Sequence, residues 1–104
     1  MRRYQFTSQA ADDLFEIWSY IARDSGEAAN RVEDAVYEAC AFLSEGPSRG
    51  KSREDLTKLP LRFWTLQAYP NYIIVYDPNT DPLQIIRVLH GARDIAEVLR
   101  KGKP

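Results

Sequence analysis

The chain holds one cysteine, Cys40, and one histidine, His90. A lone thiol excludes an intrachain disulfide and a cysteine metal cluster. No metal site and no cofactor are expected, and this cysteine usage points to the cytoplasm. No apolar run approaches the roughly 20 residues of a membrane span. The opening Met1-Arg2-Arg3-Tyr4-Gln5-Phe6 has two arginines but no apolar h-region behind them, so no secretory signal and no membrane partner are expected. Internal repeats and low-complexity segments are also missing.

What is present is ordinary globular material, 44% hydrophobic and 28% charged over 104 residues. Two independent cores do not fit in that length, so residues 1–104 are expected to form a single domain. The net charge of −1 conceals an uneven division. Residues 1–48 hold four basic residues against nine acids, and residues 49–104 hold ten against six. A basic C-terminal half suits an acidic partner or a nucleic-acid backbone.

In chain order, Arg2–Thr7 alternates as a short strand, Tyr4 and Phe6 against Arg3 and Gln5. Thr7 or Ser8 caps a helix ending near Arg23–Asp24, with Asp12 and Asp13 early, where the helix dipole favours negative charge. Leu14, Ile17, Trp18 and Ile21 recur at i, i+3, i+4, i+7 and make an apolar stripe, which predicts a buried Trp18. Ser25 caps a second helix from about Glu27 to about Ser44, with Val32, Val36, Ala39, Cys40 and Leu43 on its apolar face. Gly46-Pro47 stops it. The two helices form an antiparallel hairpin.

Pro47–Arg62 has no clear period and is expected as a loop with one helical turn. Its Arg49, Lys51 and Arg53 are candidates for binding a target. Phe63–Gln67 and Tyr72–Tyr76 read as a β-hairpin, and Leu83–His90 as the third strand of a meander. The fold class is α+β: a β-α-α-β-β-β order with a short C-terminal helix, an antiparallel sheet packed on the helical hairpin. One hairpin covers one sheet face. Trp64, Tyr72, Ile74 and Tyr76 are therefore expected to leave aromatic surface for a partner.

The polar chemistry concentrates at the exit of the last strand. By strand alternation Arg87 shares a face with Leu83, Ile85 and Leu89, where it must be ion-paired or presented to a ligand. His90 at the strand end reads as a packed, hydrogen-bonded side chain. Gly91 is expected to supply a conformation that a Cβ resists. Arg93 follows at once, and Asp94 is expected to cap a helix from Ile95 to Arg100.

Several strings carry a family resemblance across nearly the whole chain. They are Phe6-Thr7 before Ala10-Ala11-Asp12-Asp13-Leu14, Ile17-Trp18-x-Tyr20-Ile21 with any residue at x, and Asn71-Tyr72-Ile73-Ile74-Val75-Tyr76. The most specific is Ile86-Arg87-Val88-Leu89-His90-Gly91-Ala92-Arg93-Asp94. Together they resemble the RelE/ParE superfamily of type II toxin-antitoxin toxins, in its ParE-like branch. The resemblance implies a toxin that poisons DNA gyrase by binding and is neutralised by a cognate ParD-like antitoxin in a hetero-oligomer. The alternatives are a RelE-like ribosome-dependent messenger RNA endonuclease using Arg87, His90 and Arg93, or a non-toxic relative that only binds a partner. Ile95-Ala96-Glu97-Val98-Leu99 offers no Tyr or His where the nuclease branch often keeps one, which favours the gyrase poison. On that reading Arg87 and Arg93 join the target-binding candidates. The antitoxin is expected to fold an acidic segment across the hairpin and sheet, contacting Trp64, Tyr72, Ile74 and Tyr76.

Overall fold

A computed structural model describes residues 3–101; Arg2 of the expected first strand lies outside them. The chain runs through strand β1 (Tyr4–Phe6), helices α1 (Ser8–Ala22) and α2 (Gly26–Glu45), and a 3-10 turn (Pro47–Arg49). Strands β2 (Lys51–Ser52), β3 (Arg62–Thr65), β4 (Tyr72–Asp77) and β5 (Leu83–His90) follow, then helix α3 (Ile95–Lys101). The class is α+β, as expected. Each helix starts on a side-chain cap. Thr7 Oγ1 accepts the Ala10 N–H at 3.1 Å and Ser25 Oγ accepts the Ala28 N–H at 3.1 Å. Asp94 Oδ1 accepts the Glu97 N–H at 3.2 Å. Each cap satisfies a donor that the helix itself leaves open.

The sheet order is β1-β5-β4-β3-β2. Strands β3, β4 and β5 form the expected antiparallel meander. The sheet as a whole is mixed, because β1 lies parallel to β5, with Tyr4 opposite Leu83. The chain reaches β5 only after α1, α2 and the strands β2 to β4, a connection long enough for a parallel pair. Strand β2 is a second departure. It lies inside the expected loop and pairs Lys51 with Phe63 and Ser52 with Arg62. Two exposed polar residues show no period that would announce a strand.

A bulge corrects the face assignment of β5. Val75 pairs with Arg87 but Tyr76 pairs with Ile85, so Ile86 is an extra residue in the ladder. Leu83 and Ile85 face the helices ahead of the bulge, and Val88 faces them after it. Leu89 goes to the opposite face. Arg87 therefore does not share a face with Leu83 and Ile85.

The second sheet face is covered, contrary to expectation. Helix α3 sets Ile95 and Leu99 against Leu61, Phe63, Val75 and Leu89. On the helix side Leu14, Val36, Cys40 and Leu43 pack against Ile74, Tyr76, Ile85 and Val88. Ile74 and Tyr76 are fully buried at 0% exposure, so neither offers the partner surface assigned to it. The physical reason is β4's position in the sheet. It lies between β5 and β3, with the hairpin on one face and α3 on the other. Trp64 and Tyr72 remain half-buried.

The Tyr76 hydroxyl is satisfied inside the core. It accepts the Gly50 N–H at 2.8 Å and donates to the Pro47 carbonyl at 2.6 Å. A Cβ on Gly50 would meet Tyr76 Oη at 2.5 Å, so glycine is required there by space. Gly91 has no such demand: no described glycine has positive φ, and a Cβ at Gly91 would find ordinary contacts.

Candidate functional site

The structure resolves the Arg87 question with a partner on α1. Arg87 Nε donates to Asp13 Oδ2 at 2.6 Å and Nη2 donates to Asp13 Oδ1 at 2.9 Å. Asp13 Oδ2 also accepts the Val88 N–H at 3.1 Å. Beyond Phe6, β1 no longer covers the edge of β5, and α1 runs along that edge instead. The Thr7 hydroxyl donates to the Ile86 carbonyl and Asp13 receives Val88, so the open edge is sealed by side chains. The hydrogen bonds to Asp13 raise the Arg87 guanidinium above its ordinary value. Asp13 was expected to serve the helix dipole. It lies beyond the first turn and faces the sheet instead.

Around the exit of β5 lies a pocket of about 380 Å³ lined by Glu16, Tyr20, Tyr72, His90 and Arg93, with Asp13 and Val88. His90 Nδ1 accepts the Ala92 N–H at 3.0 Å, which leaves the proton of the neutral ring on Nε2. The His90 ring meets Tyr72 edge to face at 5.3 Å. Burial, with Tyr20 as a lesser cause, pushes the Tyr72 phenol up. Arg93 is exposed and makes no ion pair among the described residues. The pocket thus joins His90, Arg93 and Tyr72, while Arg87 is held behind it by Asp13.

The loop candidates lie elsewhere. Strand β2 is three places from β5 in the sheet, about 14 Å at the usual strand spacing. Arg49 Nη1 donates to the Phe42 carbonyl at 2.6 Å, and its guanidinium stands 4.0 Å over the Phe42 ring. Arg53 is tied to Asp55 by two hydrogen bonds, at 2.9 and 2.8 Å. Lys51 is exposed on β2.

A second concavity was not foreseen. A groove of about 800 Å³ runs between β1, α1 and α2 and is lined by Tyr4, Phe6, Leu14, Phe15, Trp18 and Tyr37, with Ala11, Asn30 and Glu33. Phe15 is 68% exposed, and Trp18 is only half-buried. Trp18 Nε1 donates to Asn30 Oδ1 at 2.9 Å, which fixes the ring on the groove wall. The expectation of a buried Trp18 is therefore corrected. The signal in the sequence was Phe15 and Tyr37, two aromatics that fall outside the apolar stripes of their helices.

Residues 4–95 match the family model for the ParE toxin of the type II toxin-antitoxin system parDE. The chain belongs to the ParE toxin family. A solved structure described as the chromosomal ParDE TA system from P. aeruginosa has the same fold, with a TM-score of 0.68 at 22% identity. That match covers 84% of this chain and 92% of the other. No curated protein matches the sequence. Seen as a ParE toxin, the chain has its family region ending at Ile95, so most of α3 follows it. Among the described residues no helix is long and apolar enough to cross a membrane.

Proposed function

We propose that the chain arrests growth by binding DNA gyrase and that a cognate ParD-like antitoxin neutralises it. The family match over residues 4–95 carries this reading. Binding rather than catalysis is favoured by the state of the nuclease candidates. Arg87 is committed to Asp13, His90 Nδ1 is committed to Ala92, and α3 contains neither Tyr nor His. Of the target-binding candidates, Arg49, Lys51, Arg53 and Arg93 are exposed, and of these Arg49 is tied to Phe42 and Arg53 to Asp55. On this reading the antitoxin occupies the apolar groove of β1, α1 and α2, which Tyr4, Phe6, Phe15, Trp18 and Tyr37 line.

The test is induction of the chain in cells, scored for growth arrest, with supercoiling by purified gyrase and messenger RNA integrity measured beside it. Growth arrest, impaired supercoiling and intact messenger RNA are expected, and co-expression of the antitoxin should restore growth. Fragmented messenger RNA with normal supercoiling, abolished by His90→Ala, would replace this reading with the nuclease. Silence in both assays would leave a partner-binding relative without toxicity.

A further inference from the structure

We infer that the segment filling the groove is a basic amphipathic helix and that Glu33 selects it by receiving one of its cations. This inference rests on the antitoxin reading and names the chemistry of the partner. The hairpin that builds the groove is strongly acidic. Residues 4–45 hold nine carboxylates against Arg23 and Arg31, and one carboxylate, Asp13, is already neutralised by Arg87. The basic surplus of the chain lies after residue 48. An acidic segment would match that half but would be repelled here.

Glu33 is the one charged side chain among the groove's lining residues. It is half-buried, and Tyr37 Oη donates to its Oε2 at 3.2 Å. Desolvation first, and the Glu33 charge second, push the Tyr37 phenol up, so at neutral pH the hydroxyl stays a donor. The carboxylate on α2 is thereby held in a groove that Phe15 and Trp18 of α1 also line. A guanidinium in this setting gains a carboxylate and aromatic faces together. Aliphatic side chains spaced at i, i+3 and i+4 reach the Leu14 floor, which is the way a helix seats in a groove between two others.

The test uses two fluorescein-labelled helical peptides of about 15 residues with one shared leucine pattern. One has arginines on its polar face and the other glutamates. Anisotropy titration of the full chain should show the arginine peptide binding at least about tenfold tighter. Its affinity should fall as salt rises from about 50 to about 300 mM. Glu33→Gln keeps an acceptor for Tyr37 and removes the charge, so it should weaken the arginine peptide roughly tenfold with an unchanged melting curve. Phe15→Ser should weaken both peptides. Equal affinity for the two peptides, indifference to Glu33→Gln, or indifference to Phe15→Ser would overturn the inference. None of these outcomes touches the toxin reading, which stands or falls on growth arrest.

Discussion

Asp13 binds three groups with two oxygens, and this defines what Arg87 does. The pair is 7% and 12% exposed, so removing one partner strands a charge in a nearly dry site. Asp13→Ala or Arg87→Ala should cost about 3–5 kcal/mol. The double change Asp13→Leu with Arg87→Met should recover much of that loss, apart from the unsatisfied Val88 N–H. Denaturant unfolding checks this, and a loss for Arg87→Ala no greater than for exposed Arg93→Ala would refute it. The sequence showed Arg87 as an anomaly needing a partner. It did not show which, because Asp13 is 74 positions away and two other acids neighbour it on α1. Cys40 is a quieter case, legible from its stripe as a small core residue. Burial pushes its thiol from 9.0 up to about 12. A raised pKa means that the folded state resists the thiolate. The stability is complete below pH 9 and is lost as pH rises from 9 toward 12. Cys40→Ala should flatten that part of the pH–stability curve, whose slope for one proton is at most ~1.4 kcal/mol per pH unit. A slope unchanged in Cys40→Ala would assign the alkaline loss to other groups.

At the scale of elements, the legible ones were those with a strong period or strong punctuation. Leu83–His90 has the bounds expected from its apolar run, and Ser25 and Asp94 cap the helices expected of them. The bulge at Ile86 was hidden, because an inserted residue breaks alternation without changing composition. Strand β2 was hidden because a two-residue edge takes its identity from β3, which it pairs with. What anchors that edge is the Tyr76 hydroxyl, placed between Pro47 and Gly50. Tyr76→Phe should cost about 1–3 kcal/mol, since it leaves a buried N–H and a carbonyl without their partner. Gly50→Ala should also destabilise, because its methyl would compete for the space of the same hydroxyl. Gly91→Ala, with nothing closer than the Asn71 carbonyl at 3.4 Å, should melt close to the parent. Thermal melts of the three variants decide the order, and a Gly91→Ala loss as large as that of Gly50→Ala would contradict this account.

At the scale of the molecule, the chain is three layers, helical hairpin, sheet and α3, with charge of opposite sign on its two halves. The expectation of one uncovered sheet face failed because a seven-residue helix with Ile95 and Leu99 suffices to cover it. The open apolar surface moved from the sheet to the flank of the hairpin, and with it the meaning of Trp18. Full burial would make Trp18→Ala a folding defect of about 3–5 kcal/mol. Trp18 is instead half-buried on a groove wall, with its indole N–H held by Asn30 in an exposed hydrogen bond. Its truncation removes part of a wall and leaves the cluster of Leu14, Val36, Cys40 and Leu43 intact. The cost should therefore be about 1–2 kcal/mol, below that of a core truncation. Leu43→Ala, at 0% exposure, should cost about 2–5 kcal/mol in the same background. Trp18→Ala should accordingly fold and, on the antitoxin reading, lose affinity for the segment that fills the groove. Denaturant curves for both variants, paired with antitoxin titration of Trp18→Ala, separate the two roles. A Trp18→Ala loss of stability matching Leu43→Ala would return the indole to the core and remove it from the docking surface.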